Sequence, residues 1–239
     1  GDKPIGITLN LVPSVPASPS EADAEANERF DGFFNRWYLD PLVGRGYPED
    51  MLKRYREENY IDDWSFIHEG DLEAIAEPID FLGINYYSRG IIRSDKVTET
   101  DNEPIEVIAI GEHTDMGWEV YPQGIYDLLT RVNADYPFTS IYITENGAAY
   151  ATGPDEDGQI KDHRRESYLR EHLIACHKAR TAGVPLDGYF AWSLMDNFEW
   201  AFGYGKRFGL VYVDYETQKR TLKQSAQWYR ELVTSRVIP

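Results

Sequence analysis

The stretch Ile141-Tyr142-Ile143-Thr144-Glu145-Asn146-Gly147 is a β-branched and aromatic run that stops abruptly at a carboxylate, an amide and a glycine. Its composition predicts a buried strand that delivers Glu145 to its C-terminal tip, with Gly147 opening the turn that follows. A solvated Glu at the end of a surface strand would read the same over these letters alone. Repetition separates the two readings. Ile5-Gly6-Ile7-Thr8-Leu9-Asn10 is an apolar run that ends on a polar residue before a Pro-rich loop through Pro19. Ile79-Asp80-Phe81-Leu82-Gly83-Ile84-Asn85-Tyr86-Tyr87 and Leu186-Asp187-Gly188-Tyr189-Phe190-Ala191-Trp192-Ser193 follow the same pattern.

Helical signals lie between these runs. Ser20 is placed to cap a helix whose Ala22, Ala26, Phe30, Phe33, Phe34 and Trp37 recur at spacings of three and four until Asp40-Pro41 stops it; its apolar face is expected on a sheet. Pro48 opens a shorter polar helix through Asn59, Pro122 one through about Asn133, and Asp162 caps one through Ala182 that ends on Gly183. Residues 88 to 117 hold weaker strand-like pieces, Gly90 to Arg93 and Glu106 to Ile110, read as a surface excursion without core. Tyr212 to Tyr215 reads as a short strand and Leu222 to Ser235 as a closing amphipathic helix. Strands alternating with helices imply parallel βαβ units, and the long loops after the strands imply a barrel rather than a doubly wound sheet. A complete barrel needs eight such units, and four are found, which leaves two open sheet edges for a second chain or a second copy to close.

Composition narrows the class. At 239 residues, 42% hydrophobic and 14% aromatic, the chain can bury a substantial core. Its 24 basic and 41 acidic residues give a net charge of −17, which repels nucleic-acid backbones and anionic lipid headgroups. No run approaches the ~18 apolar residues of a membrane span, and the first residues lack the pattern of a signal peptide. Cys176 is the single cysteine and no Asn-x-Ser/Thr acceptor occurs, which suits a soluble protein of the reducing cytoplasm. The chain opens on Gly1-Asp2-Lys3, without an initiator Met, and reaches a strand almost at once, so it is expected to be a piece of something longer.

The strand tips carry the chemistry. They present Asn10, then Asn85 with Tyr86 and Tyr87, then Glu145, then Trp192, and a loop after the last bears Glu199 and Trp200. Carboxylates bind sugar hydroxyls and indole faces cover the apolar C–H patches of a sugar ring, so this mixture points to a carbohydrate site. In barrels such groups gather at the C-terminal rim.

These tips, with Met116-Gly117-Trp118-Glu119-Val120-Tyr121-Pro122, Trp192 to Trp200, Phe208-Gly209-Leu210 and Val213-Asp214-Tyr215, make six segments in the order of one family. The chain resembles the C-terminal half of a family 1 glycoside hydrolase, the β-glucosidase and β-glycosidase group, over nearly all its length. The resemblance implies an α/β fold, the C-terminal half (strands 5 to 8 and their helices) of a (β/α)8 TIM barrel, with residues 1–239 as one half-barrel domain. It implies a retaining mechanism with Glu145 as the nucleophile, Tyr87 hydrogen-bonded to it, and Asn85 near the second carboxylate and the reacting sugar. It further implies Glu199 accepting from sugar hydroxyls, Trp200 against the same sugar, Trp192 as the platform beneath it, Phe208 lining the pocket and Trp118 stacking on the leaving-group side.

One departure matters. The family's acid/base Glu belongs to a Thr-Leu-Asn-Glu-Pro-type motif on the fourth strand, and this chain matches from the fifth. Asn102-Glu103-Pro104 spells the tripeptide, but in a polar loop with no buried strand before it, so Glu103 is read as non-catalytic. No metal or cofactor is implied. His163, His172 and His177 lack the spacing of a zinc-binding helix and are expected on a solvated face, Asp155-Glu156-Asp157-Gly158 is a turn rather than a calcium loop, and Cys176 is expected as a packed thiol. The expected activity is hydrolysis of β-glycosides or oligosaccharides when an N-terminal half-barrel supplies the acid, the isolated chain being inactive or very weak. The rival is a catalytically incomplete half-barrel that binds sugar, or a flat aromatic ligand such as a porphyrin, on its aromatic wall; self-association through the open edges is compatible with either.

Overall fold

In the computed structural model, which describes residues 3–58, 64–95 and 104–238, each of the four tip-polar runs forms a strand. The elements in chain order are β1 (Gly6–Asn10), β2 (Ser14–Pro16), α1 (Glu21–Asp31), α2 (Trp37–Leu42), α3 (Glu49–Glu57), α4 (Asp71–Ile75), β3 (Phe81–Asn85), β4 (Gly90–Ser94) and β5 (Pro104–Glu106). They continue with α5 (Pro122–Asp135), β6 (Ile141–Asn146), α6 (His163–Thr181), β7 (Leu186–Ala191), β8 (Val211–Val213), β9 (Arg220–Leu222) and α7 (Gln224–Ser235).

Strands β1, β3, β6 and β7 pair in that order, all parallel, in one four-stranded sheet. The strand period of two sends Leu82, Ile84, Ile141 and Ile143 to one face, where they are fully buried against Ile125, Leu128, Leu129 and Val132 of α5 and Ala175, Cys176 and Ala179 of α6. Burial of each such aliphatic side chain is worth about 1.5–3 kcal/mol, which makes this layer the chief support of the strands. The opposite face carries Thr8, Gly83 and Thr144 side by side; a Cβ at Gly83 would collide with Thr8 Oγ1. A second core beneath the loops joins Ala148, Tyr150, Tyr168, Leu169, Leu210 and Trp228, seating α7 against α6.

The sheet edges are open among the described residues. Ile5 just before β1, Ile7 on β1 and Phe190 on β7 remain exposed. No helix of the described residues is long and apolar enough to cross a membrane.

Local signals explain two of the helix starts, whereas Asp162, expected to cap α6, sits at its N-cap position without a side-chain capping bond. Ser20 Oγ accepts from the backbone N–H of Asp23 at 3.1 Å, a capping bond, and Pro122 occupies the first turn of α5, where its missing N–H costs nothing. The Asp40-Pro41 stop takes effect one residue late, at Leu42, because Pro41 falls in the last turn, and a π-helical turn over Gly32–Arg36 separates α1 from α2.

Three expectations need correction. The excursion after β3 does contain core, since Ile92 is fully buried where β4 pairs with β2 on one side and β5 on the other, and the Asp23 carboxylate of α1 accepts from Ser94 N–H at 2.8 Å. The strand expected over Glu106 to Ile110 instead ends at Glu106, leaving Ile108 and Ile110 exposed. The closing helix begins at Gln224, because Arg220 to Leu222 pair antiparallel with β8.

Candidate active site

The four parallel strands end at the same level, and their tips surround an open cleft of about 430 Å³. Asn10, Asn85, Tyr87, Trp118, Glu145, Trp192, Glu199, Trp200 and Phe208 all line it, so every expected site residue lies in one place. Register explains how Glu145 reaches it. Ile84 pairs with Ile143 but Asn85 pairs with Glu145, so β6 carries one extra residue. Such a bulge lets neighbouring side chains share a face. Thr144 Oγ1 donates to Asn85 Oδ1 at 2.7 Å while Glu145 meets Tyr87 in the cleft, and Asn146 then turns to the buried side.

Tyr87 O–H donates to Glu145 Oε2 at 2.6 Å, within the range of a short charge-assisted bond. Burial raises the Tyr87 phenol far above its ordinary value, reinforced by its bond to Glu145, so it stays protonated and acts as a donor. Burial also raises Glu199, and the nearby Glu145 charge adds to it. Glu145 and Glu199 are thus two carboxyls of the cleft whose fields oppose one another. Tyr87, Trp118 and Phe208 form an aromatic cluster with ring centroids 5.2–6.2 Å apart. Trp200 is 81% exposed with φ of 42°, a left-handed backbone that an indole-bearing residue rarely adopts.

Behind the carboxylate stands a buried hydrogen-bond layer. Asn146 Nδ2 donates to the Tyr86 carbonyl at 2.8 Å and to Tyr168 Oη at 3.0 Å, and its Oδ1 accepts from Tyr189 at 2.5 Å. Tyr168 donates in turn to the Tyr87 carbonyl at 3.0 Å. Gly147 is required for another reason: a Cβ there would strike the Trp192 carbonyl oxygen, where the Trp192–Ser193 peptide is cis.

A second buried cluster anchors the loop bearing Glu199. Asp196 accepts from Lys223 Nζ and from Arg207, each at 2.7 Å, and from Gly209 N–H at 3.0 Å. Desolvation lowers Lys223 to about 8, with the Arg165 charge adding to it and Asp196 and Asp162 opposing. On α6, Arg165 pairs with Asp162 at 2.5 Å, and Asp162 also accepts from Ser225 of α7.

Here the chain can be placed. The glycosyl hydrolase family 1 profile matches residues 1–237, so the chain belongs to that family. β-Glucosidase A of Acetivibrio thermocellus is 44% identical across 97% of this chain and 51% of its own length. The crystal structure of a family 1 β-glucosidase from Exiguobacterium antarcticum superposes with a TM-score of 0.93 at 41% identity, covering 100% of this chain and 53% of that one. The family 1 β-glucosidase from Thermotoga maritima, solved with isofagomine lactam, gives 0.85 at 44% identity, covering 98% of this chain and 51% of that one. The chain therefore spans about half the length of the relatives it matches. Family 1 is built on a (β/α)8 barrel, which the α/β layering here accords with.

Some of the site lay outside the sequence reading. Phe30 and Phe34 of α1 line the cleft, as do Ser88, Arg89 and Glu106, while α1 packs on the β2–β4–β5 sheet as expected. The helical period located the first two on the face that meets a sheet but gave no sign that they also reach the cleft; Arg89 carried no local signal. His172 is not on a solvated face but wholly buried, stacked 3.9 Å from the Tyr168 ring, and burial lowers it to about 4. Cys176 is buried, its thiol pushed up to about 12. Glu103 lies outside the described residues. Among the described residues no group of three His, Cys, Asp or Glu could hold a metal.

Proposed function

We propose that this chain is the C-terminal half-barrel of a retaining β-glycosidase and carries its nucleophile. The supporting observation is the 2.6 Å bond from Tyr87 to Glu145 in a cleft that also holds Glu199 and a wall of Trp and Phe side chains. Glu145 attacks the anomeric carbon and the glycosidic oxygen leaves with its electron pair, giving a covalent glycosyl-enzyme. Tyr87 aims the attacking oxygen and releases it as its charge is consumed. Asn85, held by Thr144, stands beside the reacting carbon. Glu199 receives the sugar hydroxyls, Trp192 forms the floor, Trp200 and Phe208 close the sides, and Trp118 flanks the leaving group.

Retaining enzymes place a second carboxyl ~5–5.5 Å from the nucleophile to protonate the departing oxygen and later to activate water. That group is supplied by an N-terminal half, whether in the same polypeptide or on a partner chain. Four parallel strands with two open edges, in a chain about half as long as its relatives, support this reading. The substrate is a β-glucoside or related β-glycoside, by likeness to relatives named as β-glucosidases.

The test is complementation. Mixing this chain with an N-terminal half-barrel of the family is expected to restore β-glucoside hydrolysis that neither part shows alone. A correctly paired, stable assembly without turnover would overturn the proposal in favour of sugar binding alone.

A further inference from the structure

Tyr87 lies just past the end of β3, yet its phenol meets Glu145 on the neighbouring strand. Ladder-type pairing reaches Tyr86, whose N–H donates to the Glu145 carbonyl at 2.9 Å. The next hold comes from the helix layer, where the Tyr87 carbonyl accepts from Tyr168 O–H of α6 at 3.0 Å. The same Tyr168 oxygen accepts from Asn146 Nδ2, also at 3.0 Å. A hydroxyl has one proton to give and lone pairs to receive, so this single group joins the tip of β3 to the residue that follows Glu145 on β6. Tyr87 is thereby fixed at both ends, by α6 at its carbonyl and by Glu145 at its phenol.

Tyr168 is itself firmly held. It is 1% exposed and stacks on His172 with ring centroids 3.9 Å apart and planes 24° apart. One turn along α6, His172 Nδ1–H donates to the Tyr168 carbonyl at 2.7 Å, and the Tyr86 ring approaches the imidazole at 5.8 Å. Burial raises the Tyr168 phenol well above its ordinary value, so it stays protonated and keeps donating to Tyr87. It stands behind the cleft and forms no part of the lining.

A reacting site has to hold its groups within about 0.5 Å and 10–20° of the productive arrangement, and a misplacement of about 1 Å can cost about a hundredfold in rate. The rigid ring of Tyr87 spans two hydrogen bonds, so a backbone tilt released at its carbonyl reappears at the phenol oxygen, where the bond to Glu145 is 2.6 Å long.

We propose that Tyr168 is a positioning residue, whose hydroxyl ties the Tyr87 carbonyl to the Asn146 carboxamide and so sets the aim of the Tyr87 phenol at Glu145. It acts through Tyr87 and touches no substrate. Its consequence for catalysis rests on the glycosidase reading; its effect on Tyr87 does not.

Two measurements on the 239-residue chain test this. Tyr168→Phe keeps the ring and its stack on His172 and deletes only the hydroxyl. In chain carrying tyrosine isotope-labelled at Cζ, the Tyr87 resonance, assigned by its loss in Tyr87→Phe, is expected to move in Tyr168→Phe in the direction it takes in Glu145→Ala. It is expected to stay in place in Tyr189→Phe, which removes a different bond on Asn146 and leaves the Tyr87 carbonyl engaged. Capture of Glu145 by an activated 2-deoxy-2-fluoro-β-glucoside, resolved into sugar affinity and maximal rate, is the second. Tyr168→Phe is expected to lower the maximal rate about tenfold with affinity unchanged, and to add nothing in a Tyr87→Phe background, since both substitutions remove one aim. An unmoved Tyr87 resonance, an equal shift in Tyr189→Phe, or rate losses that multiply in the double variant would overturn the role of Tyr168 and leave Glu145 as the nucleophile. A resonance that moves as expected in a chain whose parent is never captured would sink the glycosidase reading and uphold Tyr168 as the group that aims Tyr87.

Discussion

Tyr87 and Glu145 form the contact on which the proposed chemistry turns, and the bond between them can be weighed. A hydrogen bond to a charged group is worth about 1.5–3 kcal/mol, so Tyr87→Phe is expected to slow attack by Glu145 about ten- to a hundredfold with little change in fold. Single-turnover rates with an activated β-glucoside measure this. A second residue-scale effect comes from His172, buried and held neutral. Its folded value of about 4 lies below the unfolded 6.5, so the unfolded chain takes up a proton first as pH falls. The stability that His172 contributes is complete above pH 6.5 and is lost as pH drops toward about 4, an effect of up to about 3 kcal/mol. Urea midpoints across that window are expected to flatten in His172→Phe, which keeps the ring against Tyr168 but cannot titrate. An unaltered pH slope would show that other groups govern acid sensitivity.

Elements decide how these residues stay aimed. The bulge in β6 and the Asn146 layer hold Glu145 from behind, whereas the loop carrying Glu199 and Trp200 hangs on the Asp196 clamp. Removing one partner from a buried ion pair leaves an uncompensated charge, so Lys223→Met is expected to cost about 3 kcal/mol, measurable as a lowered denaturant midpoint, and to blunt sugar affinity through the displaced Glu199. A midpoint within experimental error of the parent would mean that Arg207 and the Gly209 N–H satisfy Asp196 unaided. Strands β3, β6 and β7 were legible because parallel strands buried on one face by helices read as apolar runs with abrupt polar ends. Strand β9 was not, since Arg220 to Leu222 is three residues long and takes its form from pairing with β8 rather than from its own pattern. Glu145 was legible as a strand tip, but the bulge that turns it into the cleft depends on register with Asn85, a long-range relation that local spacing does not encode. The burial of His172 was hidden for a similar reason: α6 packs on two cores at once, so no single polar stripe marks its faces.

At the scale of the molecule, the charge of −17 and the exposed edges pull in opposite directions. Ile5, Ile7 and Phe190 favour association, while the net negative charge disfavours two identical copies meeting face to face. A complementary N-terminal half would cover both edges, and amide hydrogens of β1 and β7 are then expected to exchange more slowly in the complex than in the chain alone. Protection confined to α5 and α6 would argue against edge pairing. The measurement that bears most directly on the central claim is covalent trapping, in which the chain is incubated with a 2-deoxy-2-fluoro-β-glucoside bearing a dinitrophenolate leaving group that needs no proton. Peptide mass mapping is predicted to find one glycosyl adduct, on Glu145, absent from Glu145→Gln; an adduct on Glu199 or Glu106, or none under conditions where the sugar binds, would contradict Glu145 as the nucleophile.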